Sequence, residues 1–191
     1  MTDSNVTARL SRTKPVRVRE VAVPTGSLVG AEFAKTSYED AWAIDLPSGD
    51  EHDVDALARL IATSAPRWAE QLMWLRDRIV SVFGLRTSEK AQPDNSTAPL
   101  RPGEAVSIFK VLARSDDEIM FGGDDKHLDF RASLLVQRDA ARSSAVLSTV
   151  VRYNNWFGRL YFSFVRPFHR LIVASLLRNL RRRLESRATT N

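Results

Sequence analysis

Apolar residues repeat at two different periods along this chain, and the period changes near residue 105. Between Ser64 and Gly84, five apolar residues recur at steps of four, three, four and three: Trp68, Leu72, Leu75, Ile79 and Val82. This spacing places them on one face of a helix, which Ser64 can cap and Gly84 can end. A shorter segment with the same periodicity predicts another helix over residues 53–63.

Beyond residue 105, apolar and polar residues alternate, as they do along strands that bury one face. Short polar or glycine turns separate four such segments: AVSIFKVLA, DEIMFG, HLDFRASLLVQ and SAVLSTVVRY. The alternation predicts an antiparallel meander. A further strand is predicted earlier in the chain, in DAWAIDLP, with Trp42, Ile44 and Leu46 on its apolar side.

The segment from Trp156 to Ser186 is rich in aromatic residues, then in leucine and finally in arginine. A helical wheel collects six apolar residues on one side: Phe157, Tyr161, Phe164, Phe168, Leu171 and Ile172. Arg159, Arg166 and Arg170 lie roughly opposite, which predicts a long amphipathic helix packed on the sheet. A bilayer crossing needs about 20 largely uncharged residues. Because these arginines interrupt the segment, we expect no transmembrane segment.

Composition favours a single globular domain. The 191 residues are 43% hydrophobic and 27% charged, which is enough apolar material for a core. The chain has no cysteine, so disulfides, thiol nucleophiles and Cys-ligated zinc are excluded and a reducing, cytoplasmic location is expected. The first twenty residues lack the apolar run of a secretory signal, so we expect no export.

The net charge of +5 is concentrated at the two ends of the chain. Residues 1–30 carry +3 and residues 178–187 carry +4, which leaves the remainder slightly acidic. We predict a mobile basic segment over 1–30, one domain over 31–184 with a long loop at residues 86–104, and a tail over 185–191. Aromatic residues do not interleave with the terminal arginines, so no specific nucleic-acid partner is expected.

The predicted order is strand, two helices, long loop, antiparallel meander and long C-terminal helix. It resembles the helix-grip architecture of the START and polyketide-cyclase-like superfamily, also called SRPBCC or Bet v 1-like. Three phrases look more closely like an uncharacterised bacterial family catalogued as a domain of unknown function: APRWAEQLMWLRDRIVSVFGLR, DDKHLDFRASLLV and VVRYNNWFGRLYFSFVRPFHRLIV. The resemblance covers about residues 35–183. It implies an α+β fold, in which a curved antiparallel sheet packs against the C-terminal helix and two helices lie in the N-terminal half.

The same resemblance implies a cavity between sheet and C-terminal helix, of the kind that such folds use for sterols, lipids or polyketides. Seven residues are candidates to line it: Phe130, Leu134, Tyr153, Asn155, Tyr161, Phe164 and Phe168. The alternative is that this aromatic stripe is plain core. The family also occurs fused behind short-chain-dehydrogenase-like domains, but this sequence has no Gly-rich dinucleotide motif, so neither a redox role nor a cofactor is expected.

Polar residues that could carry chemistry are few. His127, Asp129 and Arg131 share one face of a predicted strand, and a histidine beside a carboxylate can act as a base or a ligand. Two ligands are too few for zinc, so no metal site is predicted, and the alternative is a surface or interface ion pair between Asp129 and Arg131. Asp124 and Asp125 follow two glycines and are interpreted as turn residues.

Three functions stay open at this point. The first is a binding module for a small hydrophobic molecule, with the 86–104 loop controlling access. The second is a cyclase or dehydratase-like enzyme, in which Tyr153, Asn155 or His169 moves protons in the same cavity. Asn155 is equally suited to cap the helix, and His169 to lie on its flank. The third is a protein-interaction domain with a solid core that forms a homodimer.

Overall fold

The computed structural model describes residues 17–47, 52–66, 68, 98–107, 109–139 and 142–190. Within these residues the chain forms seven strands and two helices: β1 Arg19–Val21, β2 Tyr38–Asp45, α1 Val54–Ala62, β3 Ala105–Val106, β4 Phe109–Arg114, β5 Glu118–Asp124, β6 Leu128–Asp139, β7 Arg142–Tyr153 and α2 Trp156–Thr190. The predicted helix between Ser64 and Gly84 and most of the 86–104 loop lie outside the described residues.

The strands form one open, curved antiparallel sheet in the order β1-β2-β7-β6-β5-β4-β3. β4 to β7 are the predicted meander, and β2 joins it by pairing with β7 along eight positions. The two longest strands, β6 and β7, have 12 residues each and lie at the centre of the sheet. The α+β class and the helix-grip-like arrangement predicted from the sequence are therefore confirmed.

The main core lies between the two helices and one face of the sheet, which we call the helix-side face. Even-numbered residues of β6, such as Leu134, lie on this face. α1 contributes Val54 and Leu57, and the C-terminal half of α2 contributes Leu177 and Leu180, all of them buried. The second half of α2 is thus part of the core, as α1 is.

The opposite face of the sheet, which we call the outer face, is covered by the segment that precedes β2. Val29 and Phe33 of this segment pack on Met120 and Val150 of the sheet. The buried carboxylate of Glu118 accepts hydrogen bonds from the Ser27 hydroxyl, at 2.5 Å, and from the backbone amide of Leu28, at 2.9 Å. Residues 17–30, which the sequence analysis placed in a mobile segment, therefore hold one strand and cover the sheet.

α2 packs on the sheet through a different side from the one predicted. Phe162 and Val173 are buried, whereas Phe164 is 68% exposed and Phe168 is 45% exposed. The wheel predicted the wrong side because both sides of this helix carry apolar residues. The position of Gly158 determines which side of the helix faces the sheet. Gly158 lies against the backbone carbonyl of His127, so the helix can approach closely only with the glycine side inward.

Two arginines of α2 that were expected to point away from the sheet flank the contact with it. The guanidinium of Arg166 lies over the ring of Tyr38, 5.1 Å from its centroid, and that of Arg170 lies over the ring of Trp42, at 5.3 Å. Such cation–π contacts let a long charged side chain cover an aromatic ring while its end stays near water. α2 contains Pro167 and extends to Thr190, so residues 185–190, predicted as a tail, are helical.

Candidate functional site

A row of four residues crosses the middle of the helix-side face, and three of them have small or polar side chains. Pairing between strands places Phe121, Ala132, Thr149 and Asp40 side by side across β5, β6, β7 and β2. With strands about 4.8 Å apart, this central row extends over about 14 Å. Ala132 is partly exposed although β6 is a central strand. The helix-side face is therefore not completely covered at its centre.

Larger side chains border Ala132 and Thr149 on both sides. The row toward the β5–β6 turn consists of Gly123, Phe130, Val151 and Tyr38, and the row on the other side consists of Ile119, Leu134, Leu147 and Trp42. Side chains of the sheet stand roughly perpendicular to it, so alanine and threonine between such neighbours leave a depression. We call it the central depression.

Aromatic rings form the β4–β6 end of this depression. The Phe109 ring centroid lies 6.5 Å from that of Phe121 and 6.4 Å from that of Phe130, within the range of favourable ring pairs. Gly123 permits this arrangement, because a Cβ atom there would lie 3.2 Å from the Phe130 ring. Phe109 is 40% exposed, so the cluster presents apolar surface to solvent.

The β2 end of the depression is polar and centres on Asp40. Its carboxylate accepts hydrogen bonds from the Tyr38 hydroxyl at 2.7 Å and from the Trp42 indole at 3.1 Å, and it lies 3.2 Å from Nε2 of His169 on α2. The Asp40 side chain is only 3% exposed. Burial alone raises the pKa of Asp40, but the hydrogen bonds and charge of His169, with the bonds from Tyr38 and Trp42, hold that pKa below its usual value.

This arrangement gives the groups around Asp40 defined protonation roles. Because Asp40 is an anion, Nε2 of His169 donates to it. Burial and the hydrogen bond to Asp40 raise the pKa of Tyr38, so its hydroxyl stays protonated at neutral pH. A carboxylate that orients a histidine is an arrangement used for general acid–base chemistry.

A small aromatic cluster joins α2 to this end of the site. The Phe162 ring centroid lies 4.8 Å from that of Tyr38 and 5.7 Å from that of Tyr153. Burial raises the pKa of Tyr153, which keeps its hydroxyl neutral as well. The His169 ring lies 6.5 Å from Phe162, so packing as well as hydrogen bonding fixes its orientation.

The seven residues predicted to line a cavity fall in different places. Phe130 borders the central depression, and Tyr153 lies beside Phe162 at its end. Leu134, in contrast, is 1% exposed within the main core. The other four lie on or before α2: Asn155 caps it, Tyr161 is half-buried, and Phe164 and Phe168 are exposed.

Asn155 has a structural role at the start of α2. Its side-chain oxygen accepts a hydrogen bond from the amide of Gly158 at 3.0 Å, and its side-chain nitrogen donates to the carbonyl of Lys126 at 2.9 Å. This is the N-cap that the sequence also suggested. The cap fixes the β5–β6 turn against the helix start, and nothing in its geometry directs Asn155 into the depression.

The polar strand residues singled out in the sequence form structural ion pairs. Asp129 is bound by Arg152 at 2.6 Å, and Arg131 is bound by Glu32 at 2.8 Å and by Asp124 at 2.7 Å. The expected surface or interface pair between Asp129 and Arg131 is therefore wrong: both residues are buried, on the outer face, and each has other partners. Among the described residues, no three His, Asp or Glu side chains come together as a metal site.

The residues that the sequence analysis missed are Tyr38, Asp40 and Thr149. A signal for two of them was present in SYEDAWAID, because Tyr38 and Asp40 stand four and two residues before Trp42 on the predicted apolar side of that strand. A carboxylate on an apolar strand face is rarely buried without partners. Asp40 could thus have been identified as a candidate. His169 was a candidate from the sequence, but its pairing with Asp40 could not be predicted.

A family model provides the relationship of the chain to other proteins. The model described as "Protein of unknown function (DUF2867)" matches residues 33–176. The chain belongs to this family. The DUF2867 region runs from Phe33 on the outer face to Leu176 in α2, so it contains the central depression, Asp40 and His169. No curated protein matches the chain.

Proposed function

We propose that this DUF2867 protein binds a small, largely apolar molecule in the central depression of the helix-side face. The observation that carries this proposal is the partial exposure of Ala132, together with its neighbours Phe121 and Phe130, in the middle of a seven-stranded sheet whose Leu134 and Val136 on the same face are buried. Binding sites for small molecules are concave, mostly apolar and provided with a few polar groups. The apolar borders of the depression and the polar groups at its β2 end support the proposal.

The two ends of the depression determine which molecules fit. The rings of Phe109, Phe121 and Phe130 offer apolar surface for the hydrophobic part of the ligand. At the β2 end, Thr149 and His169 can hydrogen-bond a polar group about 10 Å away from the rings, which is two strand spacings. We therefore expect a ligand with an apolar body and one polar end, such as a hydroxylated or keto-substituted ring system.

Filling the depression is expected to remove binding without weakening the fold. The Ala132→Leu variant places three additional carbon atoms between Phe130 and Leu134, at a position that is partly exposed. We expect affinity for the fluorescent probe N-phenyl-1-naphthylamine to fall about tenfold or more, which corresponds to about 1.4 kcal/mol. Fluorescence titration measures this change, and the thermal midpoint should stay close to that of the wild type.

The matched control is Ala113→Leu, which makes the same chemical change on β4, next to the outer-face cluster. Its probe affinity should equal that of the wild type. Equal affinities of both variants, or no binding by the wild type, would contradict the proposal. Native mass spectrometry of wild type and Ala132→Leu purified from their own host would then identify the natural ligand as a mass carried by the wild type alone.

Proton transfer is a second candidate function, and the Asp40–His169 pair favours it. Retention of an apolar ligand does not by itself require a buried carboxylate. Here such a carboxylate orients a histidine at the end of the depression. If the site is catalytic, the ligand extracted from the host should change in mass or structure on incubation with wild type. The His169→Gln variant should bind that ligand and leave it unchanged. Binding without conversion by either protein would show a carrier.

A further inference from the structure

α2 has a second apolar side that faces away from the sheet. Five residues form it, at steps of four, four, four and three: Trp156, Leu160, Phe164, Phe168 and Leu171. Their exposed fractions are 75%, 46%, 68%, 45% and 58%. We call them the outer stripe, which extends along about 22 Å of helix. Soluble proteins rarely expose so many large apolar side chains in one continuous patch without an interaction partner.

Positive charge continues the outer stripe along the same side of the helix. Arg178 and Arg182 follow Leu171 at steps of seven and four residues, and both are exposed. Neither forms a salt bridge with any residue in the described part of the chain. The single acidic residue of α2, Glu185, is bound by Arg181 at 2.7 Å.

An exposed lysine, next to Asp125 in the same turn, lies at the opposite end of the outer stripe. Asn155, next to Trp156, donates to the carbonyl of Lys126 in the β5–β6 turn, so the exposed Lys126 lies beside the start of the stripe. A shallow groove there is lined by apolar and polar side chains of both elements, including His127 and Leu160. The aromatic and leucine side chains of the stripe thus have cationic groups at both ends.

We propose that the outer stripe docks the protein on the surface of an anionic lipid bilayer. A helix with aromatic and leucine residues on one side and arginines next to them binds in the plane of the interface, with its apolar side at the boundary between headgroups and acyl chains. Exposed Trp156 suits that depth, since tryptophan is enriched at membrane interfaces. Arg178, Arg182 and Lys126 would contact the anionic headgroups.

A helix lying on the membrane fits better than a helix crossing it. By length and apolar composition alone, Trp156–Arg187 could span a bilayer, with 22% of its most apolar window buried in the protein. Its buried residues, however, are part of the main core: Val173 is 4% exposed and Leu177 and Leu180 are fully buried. Spanning would expose that core, whereas surface docking uses only the side that the fold leaves uncovered.

Charge also favours lipid over a second copy of this chain. If two outer stripes packed in parallel, Arg178 and Arg182 of one copy would face the same residues of the other. If they packed antiparallel, these arginines would approach the turn that carries both Asp125 and Lys126 of the other copy, whose charges offset each other. The parallel arrangement brings like charges together at the edge of an apolar contact, which is destabilising, and the antiparallel arrangement gains no net opposite charge. Anionic headgroups provide the opposite charge for Arg178 and Arg182.

Vesicle flotation tests the proposal directly. The full chain should float with vesicles of phosphatidylcholine mixed with phosphatidylglycerol, and much less with phosphatidylcholine alone or in high salt. We expect Trp156→Ser/Phe164→Ser to reduce binding to the mixed vesicles about tenfold or more, and Arg178→Gln/Arg182→Gln to have an effect of similar size. Thermal midpoints should change little, because all four side chains are exposed.

Matched controls separate the stripe from general apolarity and charge. Phe109→Ser removes an exposed aromatic residue from the sheet, and Arg101→Gln removes an exposed arginine from the loop before β3; both should float like the wild type. Ala132→Leu should also float normally, because membrane docking does not depend on the ligand site.

Three results would overturn the proposal. The first is equal flotation with neutral and anionic vesicles. The second is the absence of flotation together with a dimer, seen by analytical ultracentrifugation, that Trp156→Ser/Phe164→Ser dissociates, which would assign the stripe to a second copy of the chain. The third is protection of Trp156 from aqueous quenchers together with resistance to carbonate extraction, which would indicate insertion instead of surface docking.

Discussion

Replacing Gly158 by alanine is expected to lower the free energy of unfolding by about 3 kcal/mol. In most helices this substitution stabilises, by up to about 1 kcal/mol. At this position, however, the new Cβ atom would overlap the backbone carbonyl oxygen of His127. A backbone atom cannot move aside as a side chain can, so either the β5–β6 turn or the start of α2 must shift.

Denaturant unfolding measures the effect, with Gly30→Ala as the control. A Cβ atom at Gly30 would meet its nearest neighbour, the carbonyl oxygen of Ser27, at 3.4 Å, so that variant should unfold almost like the wild type. We also expect Gly158→Ala to lose affinity for the apolar probe, because moving α2 displaces His169 and Phe162. A stable Gly158→Ala protein with normal probe binding would show that α2 is not fixed by this contact.

The meander within the sheet could be predicted from the sequence because local patterns determine it. Strands β4 to β7 alternate apolar and polar residues, short turns connect them, and consecutive strands pair, so the meander follows from neighbouring residues alone. α1 likewise has a cap at Asp53 and an apolar periodicity of its own. The predictions of the meander and of α1 agree with the structure because the residue pattern within each segment is enough to determine its secondary structure.

The orientation of α2 could not be predicted, because it depends on a contact that sequence periodicity does not record. Phe164 and Phe168 outweigh Phe162 and His169 on a hydrophobic scale, so the wheel selected the outer stripe as the buried side. The closest approach is instead made by Gly158, which lies against the backbone carbonyl of His127. Glycine allows this approach because it has no side chain. For the same reason, the outer stripe was predicted to be buried and was not identified as a surface feature.

The candidate site was only partly predictable for a related reason. Phe130 and Tyr153 were found because they are aromatic residues at strand and junction positions. The pair of Asp40 and His169 joins residues 129 positions apart in the chain, and only the packing of α2 on β2 brings them together. Asp40 alone was visible as a carboxylate on the apolar side of a strand.

Removing the imidazole partner of Asp40 is expected to destabilise the protein by about 3 kcal/mol at neutral pH. The His169→Leu variant leaves the 3% exposed carboxylate with the hydrogen bonds of Tyr38 and Trp42 and without its cationic or donor partner. The Asp40→Asn/His169→Leu double variant removes the buried charge as well, so it should recover part of the lost stability. Equal stabilities of the single and double variants would mean that Asp40 does not depend on His169.

The pH dependence of stability should change sign in His169→Leu. In the wild type the pKa of Asp40 lies below its unfolded value, so its contribution is present above the unfolded pKa of about 3.9 and is lost as pH falls through the folded pKa. Without His169, burial becomes the dominant effect and raises the pKa of Asp40 above that of the unfolded chain. The folded state then binds the proton more tightly, so stability falls as pH rises above about 4.

Denaturant unfolding between pH 4 and pH 6, compared with the double variant that also lacks the histidine, isolates the titration of Asp40. A stability that still rises with pH in His169→Leu relative to the double variant would mean that Tyr38 and Trp42 alone keep Asp40 ionised.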